Sequence, residues 1–188
     1  MKSQLRLALI ITCCAVLDAT AVTQDWEAAD RATRRLAPAA FPQLPSSIRD
    51  ALVKRGCTIP QPYDARSPEN VIKGSFIRAG QTDWAVLCSQ QRISAVLVFP
   101  ADNPAAVMTM PGAADLDFLQ GVGNGAIGFS RAITVATPKQ MRQYAADDQS
   151  QKKLPAFRHD GIEDAFIGKA SGVLYWDGTR WLSLRGAD

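Results

Sequence analysis

The chain has 188 residues, 47% of them hydrophobic, and a formal net charge of +3. That is the size of one domain with one core. The basic residues are scattered with no run of five like charges, which points away from nucleic acid and from anionic membrane surfaces as partners.

At the start of the chain, Lys2 and Arg6 precede an apolar run from Leu7 to Leu17, and Ala19-Thr20-Ala21 supplies a small-x-small cleavage site. Residues 1–21 therefore read as a Sec signal peptide, with an apolar part too short to span ~30 Å of hydrocarbon. Its removal takes Lys2, Arg6 and Asp18 with it and lowers the formal charge from +3 to +2. Cys13 and Cys14 also leave, so residues 22–188, a single exported domain, keep Cys57 and Cys88. An even pair in an exported domain is most simply a disulfide. The rival is a lipoprotein signal ending at Cys13, but Thr12 stands where a lipobox carries Gly, Ala or Ser, and the apolar run continues to Leu17. The expected location is periplasmic or extracellular. No later apolar stretch is long enough for a transmembrane segment in the mature chain.

Asp25 to Ala37 carries helix formers, with an acid at its start, arginines 31, 34 and 35 toward its end, and Pro38 as a stop. After a proline-rich connection, Ser46 and Ser47 offer N-caps for a second helix that places Ile48, Leu52 and Val53 on one face. Gly56 stands at its C′ position. Cys57 follows at once, so a bond to Cys88 would pin this helix to the sheet. Residues 58–70 read as loop. Val71 to Ile77, Trp84 to Cys88 and Ile93 to Phe99 have strand periodicity, whereas residues 100–130 have no clear period.

Arg131 to Ala136 reads as another strand, and Thr137-Pro138 opens a helix to about Ala146. Residues 147–153 form a polar loop. Val173–Trp176 and Thr179–Leu184 around Asp177-Gly178 predict a two-residue type I′ hairpin with Leu174 facing Trp181 and Val173 facing Leu182. Its aromatic residues read as a packed hairpin face or as a platform for stacking a carbohydrate.

Two segments echo one another: Gly74-Ser-Phe-Ile-Arg-Ala-Gly80-Gln-Thr-Asp83-Trp-Ala-Val and Asp160-Gly161-Ile-Glu-Asp164-Ala-Phe. In each, a glycine that permits a tight turn is followed three residues later by an aspartate able to cap loop N–H groups, and then by a strand. Gly80, Asp83, Gly161 and Asp164 are thus the structural turn residues. The pattern resembles the FG-GAP (VCBS-like) repeat of exported and cell-surface proteins, in which a calcium loop precedes a β-hairpin. Gly74, Phe76, Gly80, Asp83, Ala85 and Val86 fall on the first repeat, and Asp160, Gly161 and Asp164 on the second. The remaining acidic positions hold Ser75, Ile77 and Ala79 in the first, and Ala156 and Arg158 in the second. Since Ca²⁺ takes about six to eight oxygens, the resemblance implies hairpin-building turns with calcium largely lost. The stretches Gly56–Pro60, Asp83–Cys88 and His159–Phe166 also resemble uncharacterised exported bacterial proteins, which supports export and carries no chemistry.

His159-Asp160-Gly-Ile-Glu163-Asp164 gathers the single histidine with three carboxylates. It reads as a polar turn, as a metal site using Asp160, Glu163 and Asp164, or as an acid–base cluster of His159, Asp160 and Glu163. Gly123-Asn-Gly125-Ala-Ile-Gly128 satisfies G-x-G-x-x-G but lacks the strand before and helix after that a dinucleotide needs. No G-x-S-x-G, H-E-x-x-H or C-x-x-C motif is present, and any Ser–His or Cys–His scheme must use His159.

The expected fold is α+β, a mostly antiparallel sheet of six or seven strands built from hairpins, with two or three short helices on one side. The expected role is a non-catalytic binding or structural module of the cell envelope that recognises a protein or a glycan and has no cofactor. The alternative is a small hydrolase or metal-dependent enzyme centred on the His159–Asp164 turn.

Overall fold

Asp25 caps the first helix: its carboxylate accepts the Ala28 N–H at 2.8 Å, and α1 runs Trp26–Ala32. The computed structural model describes residues 25–147 and 154–187. The expected signal peptide and residues 148–153 of the polar loop lie outside the described residues. α1 stops short of Ala37, because Arg35 leaves the helix and turns its guanidinium back. It donates to the Asp30 carbonyl at 2.8 Å, the Asp30 carboxylate at 2.6 Å and the Asp115 carboxylate at 2.7 Å. Asp30 and Asp115 are buried, and two buried acids sharing one arginine outweigh the helix preference of a few residues.

The strand β1 (Arg35–Leu36), at the end of the stretch expected to be helix, pairs with β2 (Ile59–Pro60), in the stretch expected to be loop. Between them, α2 spans Ser46–Lys54 with Pro45 at its cap and no side-chain capping bond, so neither serine caps it. The Pro45 carbonyl accepts the N–H groups of Ile48 and Arg49, which starts the helix one residue before the serines can act. Ile48 and Leu52, four apart, are buried, but Val53 is 62% exposed, since one further residue rotates about 100° away from that line. At the other end Gly56 adopts φ +69°. Its N–H reaches the Val53 carbonyl at 2.9 Å and the Cys57 N–H reaches that of Leu52 at 3.0 Å, a Schellman ending.

The strands β3 (Val71–Gly74), β4 (Asp83–Gln90), β5 (Ile93–Phe99), β6 (Met108–Thr109) and β7 (Ala113–Ala114) form one antiparallel sheet. Its order is β3-β4-β5-β6, with β7 also on β5. A small hairpin of β8 (Leu119–Gly121) and β9 (Ile127–Phe129) follows. Its turn holds Gly123 and Gly125 at φ +97° and +74°, while a Cβ at Gly128 would lie 2.5 Å from that of Tyr63. Turn geometry and close packing thus account for G-x-G-x-x-G. The second antiparallel sheet has the order β10 (Arg131–Ala136), β11 (Gly161–Phe166), β12 (Ala170–Trp176), β13 (Trp181–Arg185). α3 (Pro138–Asp147) leaves β10 through a capping box. In it, the Thr137 hydroxyl accepts the Gln140 N–H at 3.3 Å and the Gln140 side chain accepts the Thr137 N–H at 2.9 Å.

The fold is α+β and hairpin-built, with short helices, as the sequence predicts. The strands are divided between two main sheets rather than joined in one, and helices cover both outer faces. The reason is visible in β4, where seven of eight residues are buried. Trp84, Val86 and Cys88 face Phe41, Ile48 and Leu52 on the α2 side. Ala85 and Leu87 face the other way, toward Ile133 and Ile162 of the second sheet. The far side of that sheet packs Ala136, Val173 and Tyr175 on Met141 of α3. A strand apolar on both faces needs a layer on each side, and the order is α2, first sheet, second sheet, α3.

Three features tie the layers. Cys57 at the exit of α2 is bonded to Cys88 in β4, with Cα atoms 5.2 Å apart. Buried Asn70, at φ +70°, donates to the carbonyls of Pro60 at 2.7 Å and Arg131 at 3.1 Å and accepts the Ile133 N–H at 2.9 Å. It thereby stitches the edge of the first sheet to β10. Buried Arg131 spans the sheets from the other side, donating to the Ser94 carbonyl and hydroxyl at 2.9 Å each and to both oxygens of Asp164 at 2.9 and 2.7 Å.

The last hairpin departs from its expected register. Trp176 pairs with Trp181 and Val173 with Leu184, leaving the four-residue loop Asp177–Arg180. The Asp177 carboxylate accepts the N–H groups of Thr179 at 2.8 Å and Arg180 at 2.9 Å and the Thr179 hydroxyl at 2.7 Å. This satisfies a longer turn than Asp-Gly needs. The slip is two residues, so every side chain keeps the face that the sequence pattern assigns it.

Candidate functional site

Asp83 does what the echo pattern requires of it. Fully buried at the start of β4, it accepts the N–H groups of Ile77 at 2.9 Å and Ala101 at 2.9 Å and the Gln81 amide at 2.6 Å. Gly80 takes φ +75° in the turn that this carboxylate organises. The residues 75–82 are therefore a loop, and β3 ends at Gly74 instead of Ile77.

The second segment is built differently. Gly161 opens β11 where a Cβ would meet Val173 and Met141, so packing, not a left-handed turn, requires glycine. Asp164 lies within β11 and forms the ion pair with Arg131, a diagonal partner across the β10–β11 ladder. It caps no turn. Asp160 instead meets the first segment: its carboxylate accepts the Ser75 N–H at 3.0 Å and its own N–H donates to the Ser75 carbonyl at 3.0 Å. The two echoing segments thus touch.

His159 is buried beside this seam. Its ring stacks on Tyr175, with centroids 4.5 Å apart and planes 8° from parallel. Nδ1 lies 2.9 Å from the Asp160 carbonyl and Nε2 3.0 Å from the Trp176 carbonyl. Both neighbours are acceptors, so the ring donates to one of these carbonyls as a neutral imidazole and to both as an imidazolium. The Tyr175 hydroxyl continues the chain, accepting the Arg158 N–H at 3.2 Å and donating to the Ala156 carbonyl at 3.3 Å.

The carboxylates expected around His159 do not converge on it. Glu163 and Asp164 are successive strand residues and point to opposite faces. Glu163 accepts the Ser171 hydroxyl at 2.6 Å and lies 3.2 Å from the Tyr144 hydroxyl. Burial, and then the Glu163 charge, push the Tyr144 phenol above its ordinary range. Asp160, Glu163 and Asp164 therefore serve three separate sets of bonds, and among the described residues no group of three or more His, Cys, Asp or Glu side chains is placed to hold a metal ion. Nor do His159, Asp160 and Glu163 form an acid–base cluster.

What they leave is a cleft of about 360 Å³ lined by Ile77, Ala156, Trp176, Asp177 and Gly178 together with the buried His159 and Tyr175. The Arg158 side chain is exposed at its rim. The Asp177 carboxylate is held below its ordinary range, first by the Arg180 N–H and then by the Thr179 hydroxyl and N–H. Trp176 leans on Trp181, with ring centroids 5.6 Å apart and planes tilted by 60°. Arg158, Tyr175 and Trp176 carry this site, and the cluster reading passed over the first two because their roles depend on a contact between residues seventeen apart. Among the described residues no helix is long and apolar enough to cross a membrane. No protein-family model, curated protein or solved structure matches the chain.

Proposed function

We propose that the chain is an exported, non-catalytic binding module of the cell envelope, periplasmic or extracellular, and that the cleft beside His159 is its recognition surface. One observation carries the reading. The polar side chains that would do chemistry are each engaged in internal bonds, while the cleft opens an arginine, a tryptophan face and loop main chain to solvent. A volume of about 360 Å³ falls in the range of sites for small ligands or one anchoring side chain, roughly 300–1,000 Å³. The buried disulfide supports export, since such bonds persist in oxidising compartments. The FG-GAP-like turn at Gly80–Asp83 supports a hairpin scaffold that presents loops.

A photo-crosslinking residue placed at Ala156 in the full chain, expressed in its own envelope, tests this reading. It should capture a discrete species that the same group at Val53, exposed on α2, does not. Equal yields from the two positions would remove the cleft as the recognition surface.

A further inference from the structure

Resting on the assignment of this cleft as a binding surface, we infer that its ligand is an acidic saccharide, a sugar chain bearing a carboxylate. The argument begins with what each lining group has left to offer. His159 has both ring nitrogens on main-chain carbonyls, and the Tyr175 hydroxyl is used twice. The Asp177 Oδ1 collects three hydrogen bonds from its own loop and its Oδ2 pairs with Arg180 at 3.7 Å, and Asp160 is turned to Ser75. None of these groups is left without a partner.

Arg158 is. Its main-chain N–H is bonded, but among the described residues its guanidinium has no hydrogen bond or ion pair, and the residue is exposed at the rim. A guanidinium presents a planar fork that matches a carboxylate with two parallel hydrogen bonds, so the one unspent charge in the cleft selects an anion. In the same cleft, half-buried Trp176 packs against Trp181 at a tilt of 60°. An indole face is broad and apolar with little rotamer freedom, a surface on which the C–H face of a sugar ring packs while its hydroxyls reach loop main chain. A free cation and an indole lining one cleft of about 360 Å³ suit a carboxylated sugar better than a neutral sugar, which leaves Arg158 unmatched, or a simple anion, which leaves Trp176 bare.

The lining is also held in place. The His159 ring stacks on Tyr175 and the Arg158 N–H donates to the Tyr175 hydroxyl, so the Arg158 segment is fixed against the strand that ends at Trp176 without the ligand. Preorganisation of this kind lowers the ordering that binding would otherwise require.

The test uses the full chain with trigalacturonate and triguluronate as probes, each beside its methyl ester, read by the indole signals of the four tryptophans and the Arg158 Nε signal in NMR. The expected result is saturable shifts of the Trp176 indole and Arg158 signals with a uronate. Affinity should fall about tenfold or more for the ester and for Arg158→Gln, the loss of a charge-assisted bond pair, while Trp26 and Trp84 stay unmoved. Esters that bind as well as the acids at the same signals would overturn the acidic ligand and leave the binding surface standing. If no saccharide moves these signals while the Ala156 crosslink still captures a partner, the saccharide proposal falls and the binding module survives. Silence in both experiments would overturn both.

Discussion

Tyr144 and Glu163 show how far a side chain's neighbours alter its acid–base behaviour. The phenol lies 3.2 and 3.4 Å from the two carboxylate oxygens, and burial first, then the negative charge, raise its ionisation above the ordinary 10.0. The folded chain therefore holds this proton more tightly than the unfolded chain. The resulting stability is fully present below the unfolded value of about 10 and is lost as the pH rises through the higher folded value. Glu163→Gln removes the charge and leaves the burial, so the tyrosinate absorbance of Tyr144 should titrate closer to the ordinary value, measured as the difference between the two proteins. An unmoved Tyr144 midpoint would mean that burial acts alone.

At the scale of elements, what was legible in the sequence is what is local. The Schellman ending at Gly56, the Thr137 cap, the three strands from Val71 to Phe99 and the Cys57–Cys88 bond all follow from patterns a few residues long or from the one cysteine pair outside the expected signal peptide. The early end of α1 was not legible, because it depends on Asp115, eighty residues from Arg35. Asp164 read as a turn cap for the same reason: its partner Arg131 is distant in sequence and adjacent only across a ladder. The disulfide closes a loop with a sequence separation of 31 and joins α2 to β4. Replacing Cys57 and Cys88 together by serine should lower the free energy of unfolding by roughly 3–4 kcal/mol on the chain-entropy account. Urea denaturation of the double variant measures it, and a loss below about 1 kcal/mol would show that the closed loop scarcely restricts the unfolded chain.

The whole molecule depends on how two sheets are kept face to face. Their apolar faces supply the driving force, but the alignment is specified by Asn70 and Arg131, polar groups buried where the sheets meet. Nothing in the local sequence marks either, since Asn70 sits in a stretch that reads as loop and Arg131 opens a strand like any other. Asn70→Ala strands the Ile133 N–H, takes a donor from the Pro60 and Arg131 carbonyls and puts at φ +70° a residue that tolerates that angle less well than asparagine, which should destabilise the fold by about 2–4 kcal/mol. Asn70→Gly removes the same bonds but takes that angle freely. A glycine variant as stable as the native chain in denaturant would assign the effect to conformation and not to the stitch between sheets.

The seam between Ser75 and Asp160 joins positions 85 residues apart, and the cleft beside it is lined by Trp176. Such distant pairing closes late, after the nearer contacts have reduced the entropy of bringing its ends together. The first sheet and its disulfide, built on nearer contacts, should therefore form before the cleft does. The proposed recognition surface is then a property of the finished molecule alone. No fragment ending before Trp176 should retain it.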